Sequence, residues 1–369
     1  MKVKESAFMS IKPHKGLSDL ITVLDGRNLK LDDNTEKTLK EINYFQLVNG
    51  IENLLLPMDK QFNGGKKEFR TESISDFVAI YDFDKEMSSQ LLHIISKFEM
   101  KLKTSLAHNF SKINCNGINN TMEYTNKNNY QDISQDCNYP FRQYTGDSVT
   151  YQYESIHYSF DNFKLFRTDF LDKLIRDNDF IDKSFYRSSE YNPNNPCDVA
   201  CFHNDNNVAV PLWVAIQTFD FGCLKRMIHY LKPNVLKLVL RDFGLNPTDR
   251  FVFLNTLDII HQLRNACAHF SLLFRFKTSS NIGISRALIH RFNLTPSKWQ
   301  HPATGLTLYD SLKILGFYED ITPLIKPIRK ILYRNNRKFS SKYYDLNERL
   351  LTEMGHSQYK EWKKMIKNS

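Results

Sequence analysis

No stretch of the chain reaches the roughly 18 uncharged apolar residues that a membrane span needs, and the opening MKVKESAFMSIKPHKG has no apolar centre, so neither an anchor nor a secretory leader is expected. Glycine is scarce, 13 residues in 369. None of it forms a Gly-rich phosphate loop, which leaves a nucleotide cofactor and an ATP-driven mechanism without support. The six cysteines, Cys115, Cys137, Cys197, Cys201, Cys223 and Cys267, never fall into paired CxxC spacing. A disulfide framework is therefore not implied, no metal or other cofactor is expected, and a cytoplasmic setting with reduced thiols fits. Cys197 and Cys201, with His203 nearby, supply at most half a metal site, and a loop after two prolines is the favoured reading.

Alternating strand patterns are also missing. Apolar residues instead recur at three- and four-residue intervals through most of the sequence, which predicts an all-α fold. SDLITVLDGRN and TEKTLKEINYFQLVNGIENLLL read as two short helices with stops near Gly50 and Pro57. The strongest pattern runs from SISDFVAIYDF to SLAHNF. There Ser75 and Asp76 supply a cap, and Phe77, Ile80, Tyr81, Met87, Leu91, Ile95, Phe98, Leu102 and Leu106 keep one stripe. Residues 111–160 are rich in Asn and Tyr without a period, and are expected to form a surface insertion partly ordered by its tyrosines. Trp213 and the segment from Phe219 to Gly222 are expected to be core and turn. Further amphipathic helices follow to the end of the chain.

Positive charge is unevenly spread: residues 276–369 hold 17 Lys+Arg against 7 Asp+Glu, while residues 1–275 hold 33 against 34. A basic module on a nearly neutral body suits a polyanion such as RNA. In YRNNRKFSSKYYDLNERL, Tyr333, Phe339, Tyr343 or Tyr344 could stack bases while Arg334, Arg337, Lys338 and Lys342 hold phosphates. A helix with its basic side in water is the competing reading.

The segment HQLRNACAHF, residues 261–270, places an arginine, an asparagine and a histidine in an otherwise apolar run. On a continuous helix Arg264 and His269 differ by roughly 140° and roughly 7.5 Å, so one helix presents them to a single phosphate only awkwardly. Two copies about a two-fold axis would pool both types in one cleft. Histidine can move the 2′-hydroxyl proton of RNA, arginine can hold the scissile phosphate, and Asn265 can orient either. His261, on the same helix, is expected to be structural.

RNACAH after a long apolar helix, with PLWVAIQTFDFGCLKRM before it and INYFQLVNG, the FVAIYDF-to-SLAH stretch and KPHKGL upstream, resembles the Abi family of bacterial abortive-infection proteins, in particular its AbiD and AbiF group. The matching segments span about residues 12–275. The resemblance implies a HEPN helical bundle serving in antiviral defence, as a metal-independent ribonuclease completed by a homodimer or as the toxin of a toxin-antitoxin pair. It implies catalytic places for Arg264, Asn265 and His269, with Glu99 supporting and Lys103 contacting RNA. Read from their own spacing, Glu99 and Lys103 are a solvated pair four residues apart rather than site residues. Family members often continue the motif with a further His, Ser and Arg. Here the continuation is FSLLF, and Arg275 is the next residue able to hold a phosphate. This departure keeps open an alternative, a non-catalytic protein holding a structured regulatory RNA. The organisation implied is an N-terminal helical region over 1–73, a HEPN-like core over 74–275 and a basic helical extension over 276–369.

Overall fold

The computed structural model describes residues 14–57, 67–134, 136, 138–141, 144, 149–151, 154–156, 159–193, 207–299, 302–339 and 345–367. Among the described residues the fold is all-α, apart from one antiparallel pair of three-residue strands, β1 (Val149–Tyr151) and β2 (Glu154–Ile156). The chain forms two compact units, one of residues 1–87 and 326–353, the other of residues 88–325 and 354–369.

In the first unit, α1 (Leu17–Asp25) is followed by α2 (Thr35–Glu41), a π turn (Phe45–Asn49) and α3 (Gly50–Leu55). The second of the two predicted helices is thus interrupted, because the Asn43 side chain accepts the Phe45 N–H at 2.9 Å and competes with the helical ladder. Gly50 begins α3 rather than ending a helix. The long helix α4 (Ile74–Asn114) is continuous over 41 residues, and its predicted stripe is buried from Phe77 to Leu106 except at half-buried Tyr81.

Helix α4 starts at Ile74, just before the expected cap at Ser75 and Asp76. Asp76 accepts the Ser73 N–H at 2.9 Å and the Ser73 hydroxyl at 3.0 Å. The fully buried Asp76 carboxylate also takes Arg334 at 2.9 Å and Lys338 at 2.6 Å from α12 (Ile325–Phe339). Burial opposes the Asp76 charge, but hydrogen bonds from Lys338, the Ser73 amide and Arg334 hold its carboxyl below the usual range.

In the second unit α4 continues from Ser88. It is followed by α5 (Phe170–Arg176), α6 (Leu212–Ala215), α7 (Phe221–His229), α8 (Pro233–Asp242), α9 (Arg250–Ala268), α10 (Arg286–Phe292), α11 (Leu308–Leu315) and, after α12 and α13 (Leu346–Glu353) of the first unit, α14 (Tyr359–Lys367). The central element is α9, which packs against α7, α8, α10 and α11.

Among the described residues of 111–160, Tyr124, Tyr130, Tyr139, Phe141 and Tyr144 are buried, so the tyrosines order much of this stretch. Their hydroxyls find partners, Tyr124 on the Val210 carbonyl at 2.8 Å, Tyr130 on the Tyr124 carbonyl at 2.6 Å and Tyr139 on His229 Nδ1 at 2.8 Å. The asparagines close the turns between them, as Asn129 does on the Glu123 carbonyl at 2.8 Å. Aromatic rings with satisfied hydroxyls build a core from 3-10 turns without any period for the sequence to display. One expectation elsewhere is overturned: Trp213, expected in the core, is 63% exposed on the outer face of the short helix α6, while its neighbours Leu212 and Val214 point inward.

The Asp76 arrangement gives a stability prediction. Asp76→Ala removes a cap and two ion pairs, but Arg334 and Lys338 are partly exposed and can rehydrate, so the loss is about 2 kcal/mol. Urea unfolding of wild type and variant measures it, and an unchanged midpoint would show the cluster to be ornamental.

Candidate active site at the end of helix α9

The Arg-x4-His segment does not lie wholly inside a helix, as was expected. Helix α9 stops at Ala268, His269 is its C-cap and Phe270 follows in the left-handed region at φ 56°. The Phe270 N–H reaches the Cys267 carbonyl at 3.4 Å, and the Ser271 N–H reaches the Ala266 carbonyl at 3.1 Å. This pair of bonds is the Schellman termination, which ordinarily uses glycine at the left-handed position. A β-carbon there costs about 1 kcal/mol or more, and such strain gathers at functional sites. His269 is exposed, and Phe270 is 66% exposed beside it. Leu273 and Phe274, in the FSLLF departure from the family pattern, are buried.

One turn earlier, the half-buried Asn265 lies between two motif neighbours. Its Oδ1 is 3.5 Å from Arg264 Nη1 and its Nδ2 is 3.3 Å from His261 Nε2. This orientation suits both ends, since the guanidinium needs an acceptor and a neutral imidazole nitrogen needs a donor. Burial, then the charge of Lys225, pushes the His261 imidazole down to about 4, with Asp220 opposing and Arg264 adding less than either charge. His261 is therefore neutral at physiological pH.

The setting of His261 was not foreseen. Its ring stacks on Phe221 with centroids 5.4 Å apart and planes 4° from parallel. Asp220 caps α7 by accepting the Cys223 N–H at 2.8 Å, and pairs with Lys164 at 3.6 Å. Burial opposes the Asp220 charge, but the Cys223 amide and Lys164 hold its carboxyl below the usual range. One turn along α7, Lys225 pairs at 2.8 Å with Asp258 of α9, which is 1% exposed. Burial pushes the Asp258 carboxyl up while Lys225 pulls it down, and its Oδ2 has no hydrogen-bond partner. Asp258, His261 and Asn265 are spaced three and four residues apart, which puts them on one side of α9. That spacing was the available signal for a polar face.

The remaining candidates divide. Glu99 and Lys103 form an ion pair at 3.3 Å, but the Lys103 side chain is nearly buried and donates to the Gln217 carbonyl at 3.3 Å, so the solvated reading fails. Their contact supports the turn at Ile216–Thr218 that leads into Asp220. Arg275 is exposed at the end of the turn Leu273–Arg275. Arg334 and Lys338 are engaged by Asp76, and Phe339 is buried, so it offers no stacking face. Arg337 is exposed over the Tyr333 ring at 5.9 Å. Lys342, Tyr343, Tyr344 and the Cys197, Cys201 and His203 set lie outside the described residues. Among the described residues no group of side chains is arranged to hold a metal ion, and no helix is long and apolar enough to cross a membrane.

The family described as Abi-like protein matches residues 37–275, about two-thirds of the chain and the whole of the Arg-x4-His segment. No curated protein and no solved structure matches it.

A depressed histidine stabilises the fold above its unfolded value and withdraws that support in acid. For His261 the window runs from pH 6.5, where the unfolded imidazole begins to protonate, down to about 4. Fully buried His229, also held well below the ordinary value by burial first, acts in the same direction. The wild type should lose stability from pH 7 to pH 5, and His261→Gln should reduce that loss by about 1–2 kcal/mol. Urea unfolding at the two pH values checks this, and an equal loss in the variant would place His261 in water.

Proposed function

The chain belongs to the Abi-like protein family of bacterial abortive-infection proteins, and from that premise we propose that it is a metal-independent endoribonuclease of the HEPN kind. Arg264 holds the scissile phosphate and His269 moves the protons. The observation that carries this reading is the polar chain from Arg264 through Asn265 to His261 on the same helix whose strained C-terminal end carries an exposed His269. A guanidinium fixed on one side by an amide oxygen keeps its outer N–H groups directed at an anion. Asn265 is in turn oriented by a neutral His261, which acts as a positioning residue.

The reaction is an internal transesterification. A base removes the 2′-hydroxyl proton, the 2′-oxygen bonds to the adjacent phosphorus, and the bond from phosphorus to the 5′-oxygen breaks. An acid returns a proton to that 5′-oxygen, leaving a 2′,3′-cyclic phosphate and a 5′-hydroxyl. Base and acid act on opposite sides of phosphorus, and each protomer offers one exposed motif histidine. A homodimer about a two-fold axis would supply both. The exposed His269 and Phe270 at the end of α9 are the surface such a partner would cover.

A second reading is supported by FSLLF after the motif. Phe270 and Leu272 stand where the resemblance implies a further histidine and an arginine, which favours RNA retention over cleavage. On that reading the protein would copurify with a defined RNA and leave added RNA intact.

His269→Ala and Arg264→Ala should each lower cleavage by about 10²–10⁴-fold. His269→Ala should keep stability within about 0.5 kcal/mol, because the side chain is exposed. Dimers of one wild-type and one His269→Ala protomer should be as inactive as the homodimeric variant, since one cleft uses both histidines. Half-activity in the mixed dimer would mean independent sites, and full cleavage by both variants would remove the catalytic assignment.

A further inference from the structure

A cavity of about 670 Å³ lies in the second unit, between α10, α11 and α14. It is lined by residues from Arg291 to Met365, all beyond the family-matched segment, and the reaction proposed above makes no use of it. Its volume falls within the roughly 300–1,000 Å³ of small-molecule sites.

Its walls combine flat rings with fixed cations. Helix α10 ends at Asn293, a non-glycine in the left-handed region at φ 48°, and the Asn293 carbonyl accepts Lys313 Nζ at 2.8 Å. That bond holds the Lys313 ammonium 4.7 Å over the Tyr309 ring, with Asp310 paired to it at 3.2 Å. Arg291 is held by Asp249 at 2.7 Å and lies 5.0 Å over Phe317. Phe317 packs edge-on against Phe292 at 5.6 Å, yet remains 46% exposed. Across the cavity, exposed Lys364 pairs with Glu361 at 2.9 Å. The lining thus carries three permanent cations, Arg291, Lys313 and Lys364, against the single carboxylate of Glu361. The carboxylates of Asp249 and Asp310 are not part of it.

An apolar ligand would leave these cations facing hydrocarbon, and a bare anion would leave the rings unused. We propose that this cavity binds a nucleotide, its base stacked on Phe317 and its phosphate held between Lys313 and Lys364. Stacking on an aromatic face tolerates any base, while the ammonium groups of Lys313 and Lys364, both of which line the cavity, hold the phosphate. The sequence lacks a Gly-rich phosphate loop, so recognition here rests on side chains, and the nucleotide is a bound ligand rather than a participant in RNA cleavage.

Isothermal titration of the full chain with AMP, GMP, CMP and UMP tests this, with inorganic phosphate and adenosine as partial probes. Saturable binding is expected for at least one nucleotide, with phosphate and adenosine each at least tenfold weaker. Phe317→Ala and Lys364→Gln should each weaken it at least tenfold, with the unfolding midpoint unchanged in Lys364→Gln, whose side chain is exposed. Absence of saturable binding by all four nucleotides overturns the proposal. So does phosphate binding as tightly as the nucleotide, or affinity unaltered in both folded variants. The readout is binding, so its failure leaves the Arg-x4-His reading untouched.

Discussion

The ion pair between Lys225 and Asp258 is the interaction on which the candidate site depends. At 2.8 Å and almost wholly withdrawn from water, it sets the rotation and height of α9 against α7. Removing one partner of such a pair commonly costs about 3–5 kcal/mol, because a charge is then left buried alone. The consequence here is register. Phe221 precedes Lys225 by four residues and His261 follows Asp258 by three, so locking one pair of side chains brings the next pair into their stack. Asn265, a turn further along, then meets His261 and takes up Arg264.

The end of α9 completes the arrangement. A helix continued through residue 270 would keep His269 within a regular ladder, with its exposure fixed by that geometry. Termination at Ala268 frees it, and the cost is carried by Phe270 in the left-handed region. Behind the motif, buried Asn255 donates to the Gly283 carbonyl at 2.9 Å and accepts the Ser285 N–H at 2.9 Å, while Gln262 accepts the Ser279 N–H at 2.7 Å. The polar residues of α9 thus serve two purposes. Some pin the following loop, and the last ones are those to which the proposal gives the chemistry.

Much of this was legible in the sequence, for identifiable reasons. The stripe from Phe77 to Leu106 is a local period that packing only had to ratify, and RNACAH stands out because polar groups in an apolar helix demand partners. What stayed hidden depends on distant residues. Nothing local tells that Tyr124, Tyr130 and Tyr139 fill a core, since 3-10 turns have no long period. Nothing near Arg334 and Lys338 reveals that Asp76, more than 250 residues away, binds them both. The neutrality of His261 stayed hidden because it comes from burial and from the charge of Lys225. Trp213 looked like core because its composition says so, yet a four-residue helix between two buried neighbours turns it outward.

The account rests on acid-base chemistry by protein side chains at a single phosphate, and the ends left on cleaved RNA report that chemistry directly. RNA incubated with the wild-type protein in excess EDTA should be cut at an undiminished rate, leaving 2′,3′-cyclic phosphate and 5′-hydroxyl ends. Cleavage abolished by EDTA, or products bearing 5′-phosphates, would contradict it.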